Sequence, residues 1–179
     1  IAEAIFGQLN PSGKLTVSIP YHVGQQPIYY SQVRGQHGSR YADFTQSPHF
    51  AFGFGLSYTS YTYGELKLLN TSSPLSQNDA LVCEIPVTNT GDRAGREIVQ
   101  FYISDLVTSA TWVNKELKAY QAVDLEPGET KTVRFEVPVA SFSIVNAAGE
   151  RVVKPGEFEA QVGSSSRDED LKKATFDVQ

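Results

Sequence analysis

Phe50-Ala-Phe-Gly-Phe-Gly-Leu-Ser-Tyr-Thr59 is a string of rings and glycines, and it divides the chain into two texts. Gly53 and Gly55 relax the backbone where bulky rings crowd, so the stretch reads as a tight packed junction rather than a free linker. After it the pattern becomes short alternating runs. Strands are expected near 58–69, 81–90, 97–104, 117–125, 131–137, 141–146, 151–154, 158–163 and 173–178. Val99, Phe101 and Ile103 alternate, as do Val133, Phe135 and Val137, then Phe158, Ala160 and Val162. Arg134, Glu136, Glu157, Glu159 and Gln161 are expected to face outward, which implies antiparallel sheets with one wet face.

Turn residues punctuate these runs at steady intervals, in Asn89-Thr-Gly-Asp-Arg-Ala-Gly95, Glu126-Pro-Gly-Glu129, Asn146-Ala-Ala-Gly149 and Lys154-Pro-Gly-Glu157. The fold class is therefore mainly β, an immunoglobulin-like sandwich over 58–179. Cys83 is the single cysteine, so no Cys-Trp-Cys framework exists and fibronectin type III-like is the better label. Its place in an alternating apolar run marks it as a buried structural thiol.

Before the junction the text is different. Ile1-Ala-Glu-Ala-Ile-Phe6 is an apolar helical turn with no cap before it, which suggests the continuation of a helix begun earlier in a longer polypeptide. Gly7 ends it, Asn10-Pro-Ser-Gly13 turns the chain, and Lys14-Leu-Thr-Val-Ser-Ile-Pro20 alternates as a strand. Residues 1–20 therefore read as an edge fragment of an α/β domain, with partners expected outside this chain. Residues 21–57 show no periodicity. More than half of the Tyr and Phe residues lie between Tyr21 and Tyr63, so 21–57 is an aromatic-rich connector pinned to a surface. Tyr29, Tyr30, Phe50, Phe52, Phe54 and Tyr58 are its candidate docking residues.

Composition excludes several function classes. The 179 residues are 40% hydrophobic and 20% charged, as in a globular chain, and no apolar run approaches the roughly 20 residues of a membrane helix. A net charge of -5 with scattered basic residues gives no footprint for nucleic acid or an anionic membrane. His22, His37 and His49 lack ligand partners at metal spacing, so neither metal nor cofactor is expected. No nucleophile elbow or phosphate-cradling glycine loop occurs.

Several stretches, in order, resemble the carboxyl-terminal portion of glycoside hydrolase family 3, which includes many β-glucosidases and β-xylosidases. They are Phe6-Gly-Gln-Leu-Asn-Pro-Ser-Gly-Lys-Leu15, Pro27-Ile-Tyr-Tyr30, Phe52-Gly-Phe-Gly-Leu-Ser-Tyr-Thr59, and Val87-Thr-Asn-Thr-Gly-Asp-Arg-Ala-Gly95 with Val99-Gln-Phe-Tyr102. Lys115-Glu-Leu-Lys118 and Leu125-Glu-Pro-Gly-Glu129 also fit. One departure is Trp112-Val113-Asn114, where members commonly carry an Arg-Pro pair.

The resemblance implies a three-part enzyme that removes terminal non-reducing β-D-glucosyl residues with retention. Both catalytic carboxylates would lie upstream, leaving this chain inactive alone and acting as a brace on the catalytic domains, its expected partners. A β-xylosidase specificity and a stand-alone carbohydrate-binding or adhesion module are the alternatives. Periplasmic or secreted placement is expected, with cytoplasm as the other option. A β-glucoside oligosaccharide would be the parent's substrate. Arg40, Tyr41 and Asp43 could reach sugar hydroxyls at a neighbouring active site, and Trp112 could stack on a sugar ring. The plainer readings are a loop tied to its own backbone and a tucked indole. Asn70-Thr-Ser72 is a glycosylation sequon, relevant in a secreted eukaryotic protein. Arg167-Asp-Glu-Asp170 reads as a solvated loop.

Overall fold

The computed structural model describes residues 1–33, 45–107 and 112–179. Two antiparallel sheets form a sandwich. In the first, β3 (Ala80–Asn89) is flanked on one side by β1 (Tyr61–Tyr63) and β2 (Lys67–Leu68), and on the other by β6 (Thr130–Pro138). The second has the order β10-β9-β4-β5, built from β4 (Gly95–Asp105), β5 (Glu116–Leu125), β9 (Gly156–Gly163) and β10 (Leu171–Val178). A separate hairpin joins β7 (Ile144–Val145) to β8 (Arg151–Val152). Sequence periodicity determines which side chains meet. Leu81, Cys83, Ile85 and Val87 of β3 face Val99, Phe101 and Ile103 of β4 across one buried core that also takes Val133, Phe135, Phe158 and Phe176. Cys83 is fully buried there, and burial pushes its thiol up to about 12.

Three local expectations change. The run 58–69 is not one strand: β1 pairs Tyr63 with Val87 while β2 pairs Lys67 with Glu84, so Gly64, Glu65 and Leu66 stand opposite only Pro86 and Ile85. Pro86 has no N–H to give the ladder, and the extra residue is accommodated as a bulge that buries Leu66. The stretch 141–146 is not one strand: it begins in the last two residues of a 3-10 turn, Val139–Phe142, and only the two residues of β7 are extended in a ladder. Third, β4 loses its wet face beyond Ile98. From Val99 to Asp105 every residue is buried, and on β9 Gln161, expected to face water, is also buried. The connector and the sandwich loops cover that outer surface.

The first residues are organised around the connector. Helix α1 (Ala2–Ile5) ends at Gly7, whose φ of 73° is the left-handed turn that closes a helix. The run 14–20 does not enter either sheet. It lies antiparallel to the junction string, with Leu15 N donating to Phe54 O at 2.8 Å, Gly53 N to Leu15 O at 2.8 Å, and Ile19 and Phe50 exchanging both backbone bonds. Its partner among the described residues is thus the far end of the connector, because folding back satisfies extended backbone that would otherwise be left unpaired.

Candidate functional site

The chemistry-bearing surface of this chain is the junction, where residues before Thr59 meet the outer face and one end of the sandwich. At its centre Gln100 of β4 is 3% exposed. Its Nε2 donates to Gly53 O at 3.1 Å and to Ser164 O at 2.6 Å, while its Oε1 accepts from the Tyr102 hydroxyl at 2.5 Å. Tyr102 in turn lies edge-on to Tyr30 and Phe52, which stack on each other at 4.1 Å. Burial, with a smaller contribution from Tyr30, raises the Tyr102 hydroxyl, so it stays a neutral donor. Gly53 has φ 79°, and a Cβ there would overlap the Gln100 amide. Only glycine lets the backbone come this close.

Two further attachments flank this centre. Lys14 reaches Glu97 at 3.0 Å, and Glu97 also accepts from the Tyr63 hydroxyl at 2.8 Å. Burial first, then the Glu97 charge, drives the Tyr63 hydroxyl upward. At the other flank the 89–95 turn grips the first ten residues. Asn10 donates to Ala94 O and accepts from Ser57 Oγ and Tyr58 N, while Arg93 donates to Gly7 O at 2.5 Å and lies 5.4 Å from the Tyr58 ring centroid. Asn89, fully buried, fixes that turn through Arg93 O, Leu125 O and Thr59 Oγ1.

The Arg167–Asp170 run is not simply solvated. Ser166 N donates to Phe52 O at 3.0 Å, the Arg167 guanidinium lies 5.1 Å from the Phe54 ring centroid, and buried Lys115 bonds both Ser166 O and Asp168. Charged side chains here hold aromatic backbone in place.

The candidate docking residues are placed unevenly. Tyr30, Phe52 and Phe54 are half-buried in the ring contacts above, and Phe50 lies 5.2 Å from Phe54 and 4.1 Å from His49. Tyr58 keeps an exposed ring but donates to Ala4 O at 2.7 Å. Tyr29 is 67% exposed. Trp112 is half-buried beside Val113, which bridges Val33. Arg40, Tyr41 and Asp43, with His37, lie outside the described residues. Gln100, Lys14, Glu97, Asn10, Arg93 and Lys115 escaped sequence reasoning. All but Glu97 sit in the quoted stretches, but nothing local distinguishes any of them from ordinary polar strand and loop residues. Among the described residues no three His, Cys, Asp or Glu side chains group as a metal site, and no helix is long and apolar enough to cross a membrane.

Sandwich and junction together define a fibronectin type III-like domain carrying the end of another unit on its flank. By comparison, residues 97–166 match the fibronectin type III-like domain and residues 1–58 match the glycosyl hydrolase family 3 C-terminal domain. The chain belongs to glycoside hydrolase family 3, of which it carries a carboxyl-terminal portion. It is similar to the solved structure of a β-glucosidase involved in saponin metabolism from intestinal bacteria, at 56% identity and TM-score 0.95, over 99% of this chain and 24% of that one. A β-xylosidase of Formosa agariphila is 42% identical over 99% of this chain and 25% of its own length. A periplasmic β-glucosidase of Salmonella typhimurium is 36% identical over 99% and 24%. The chain thus spans about a quarter of these relatives.

Proposed function

We propose that this chain braces the catalytic domains of a retaining family 3 β-glycosidase that removes terminal non-reducing β-D-glucosyl residues from small glucosides. The observation that carries the reading is the 56% identity, across nearly the whole chain, to a β-glucosidase of which it spans 24%. Bracing follows from where apolar surface is left uncovered. Ile1, Ile5, Phe6, Leu9, Val17 and Val23 are all more than half exposed, and all lie in the first 23 residues, beside the junction that ties them to the sandwich. The upstream catalytic domains are the partner such a face fits. The working division is 1–20 for the end of the α/β unit, 21–57 for the connector and 58–179 for the sandwich. Tyr30, Phe50, Phe52, Phe54 and Tyr58 hold the connector, and Tyr29 meets the neighbouring domain. Arg40, Tyr41, Asp43 and Trp112 are the rim residues that would approach substrate.

The two carboxylates of a retaining mechanism stand about 5 to 5.5 Å apart and are assigned to the catalytic domains, outside this chain. A β-xylosidase reading is the second, favoured by the 42% identity to the Formosa agariphila protein. Placement in the periplasm or outside the cell accords with the periplasmic relative. The test is hydrolysis of aryl β-glucoside and aryl β-xyloside by the intact polypeptide and by the 179-residue chain. The intact protein is expected to turn over the glucoside faster and the chain neither. Turnover by the chain, or none by the intact protein, overturns the reading; preference for the xyloside selects the second.

A further inference from the structure

Strand β5 leaves one edge of its sheet open. Among the described residues it pairs in the sheet with β4 alone. Two other outer strands are guarded: β10 receives Leu75 at its end, with Leu75 N donating to Asp177 O at 2.9 Å, and β6 carries the exposed cations Lys131 and Arg134. In β5 the run Ala119-Tyr-Gln-Ala-Val123 has neither charge nor proline. Tyr120, Gln121 and Ala122 are exposed in succession, so both faces of the strand are open there, and the Tyr120 ring is 70% exposed.

Both ends of this open stretch are marked. Lys131 Nζ on β6 donates to Asp124 O at 2.7 Å, across the open side. Ala122 and Tyr120 are in phase with Asp124, so they turn their N–H and C=O groups the same way. At the other end the pairing slips: Phe101 faces Ala119 but Tyr102 faces Leu117, which leaves Lys118 as a bulge. Beyond the bulge the phase inverts, and Leu117 N donates to the Tyr30 hydroxyl oxygen at 3.3 Å.

We propose that this edge pairs with the same edge of a second copy of the chain, antiparallel about a two-fold axis at Gln121. The strand is self-complementary in that register. Tyr120 stands opposite Ala122 of the second copy, twice over by symmetry, which gives about four backbone hydrogen bonds. The two Tyr120 rings meet on the diagonal, beside alanines small enough to admit them. On the other face Gln121 opposes its own copy, and an amide both donates and accepts. Ala119 opposes Val123, apolar against apolar, and Lys118 opposes Asp124 with the opposite charge. Lys118 and Asp124 already hold Glu116 and Arg96, so that last pair fixes register more than it adds strength. Such a contact is shorter than the ~1,200 Å² of stable interfaces, and a dissociation constant of roughly 0.1 mM is expected.

Sedimentation equilibrium of the intact polypeptide and of the 179-residue chain reads the association, and cysteine crosslinking reads the register. Both proteins are expected to dimerise reversibly. Tyr120→Lys sets like charges across the axis at an exposed position and should weaken the dimer by about tenfold or more in each. Val23→Lys in the chain alters the apolar face assigned to the catalytic domains and should leave the dimer unchanged. In Gln121→Cys, oxidised glutathione should link two chains, because facing residues of a non-hydrogen-bonded pair stand about 4.5 Å apart at Cα, within disulfide reach. Thr132→Cys, exposed on β6, should not crosslink. Three results each overturn the proposal: an intact polypeptide still monomeric at about 0.5 mM, which gives the edge to the catalytic domains; a dimer indifferent to Tyr120→Lys; or equal crosslinking at the two cysteines.

Discussion

The sandwich and the stretch before it solve burial by opposite means. Residues of β3, β4, β6 and β9 interdigitate side chains that alternate along each strand, and the largest of them, Phe101, Phe158, Leu81 and Ile85, are fully buried. Residues 1–57 bury only Gln25, Ala51 and Gly53 among those described, and leave Ile1, Phe6 and Val23 in the open. They are held instead by point attachments: one amide at Gln100, one part-buried ion pair at Lys14 and Glu97, one turn around Asn10 and Arg93. A domain with its own core tolerates the loss of a contact by keeping its fold. A strap of point attachments loses its position when one is removed, so the two regions are expected to fail separately.

The strongest way to break the comparison is in the core. Phe101→Ala removes a ring with no exposure that packs 5.6 Å from Phe135. It is expected to cost about 3–5 kcal/mol, read as a lowered denaturant midpoint of the whole chain. An unchanged midpoint would mean that the core is not where stability resides.

Next in size is Gly53→Ala. The left-handed φ of 79° and the overlap of a new Cβ with the Gln100 amide both oppose it, for about 2–3 kcal/mol. Here the cost should be local, with the connector becoming a protease target while the sandwich melts nearly as before. Loss of both together would show that strap and sandwich form one cooperative unit.

Phe52→Ala ranks third. The ring stacks on Tyr30 but is only half-buried in this chain, so about 1–2 kcal/mol is expected from connector proteolysis, below the figure for a fully buried Phe. A larger loss in the intact polypeptide than in the chain would locate the remaining burial against the catalytic domains.

Legibility in the sequence divides along the same line. Val99, Phe101 and Ile103 announce a strand and its inward face because a period of two has one meaning at a buried sheet. The bulge at Gly64–Leu66 was hidden because it depends on Pro86, some twenty residues away along the chain, failing to donate a hydrogen bond. The junction string was legible as a packing site from its glycines and rings. Its polar partners were not: Gln100 and Gln161 sit at positions that alternation assigns to water, and they are dry only because a nonlocal segment covers them. Short polar attachments leave no periodic mark, so sequence patterning found the aromatic side of the junction and missed the side that receives it.

The smallest expected effect tests whether charge holds the Ser164–Asp170 side of the strap. Burial on its own would raise the Asp168 carboxyl, but hydrogen bonds from Lys115 and Lys173 outweigh it and hold the group below the ordinary carboxylate range. A carboxyl depressed in the folded state contributes fully above its unfolded pKa, about 3.9, and that contribution fades as pH falls through the lower folded value. The Asp168 side chain is 76% exposed, so salt screening keeps its share under about 1 kcal/mol. Asp79, Asp124 and Glu129 are depressed as well, so global melting against pH would mix their contributions. Amide exchange at Ser166 and Arg167 isolates this one. Wild type should open faster there as pH falls below about 4, and Asp168→Asn should already be loosened at neutral pH and lack that step. Matching profiles for the two proteins would assign the loop's hold to the Lys115 bond with Ser166 O and the Arg167 contact with Phe54, and remove Asp168 from the strap.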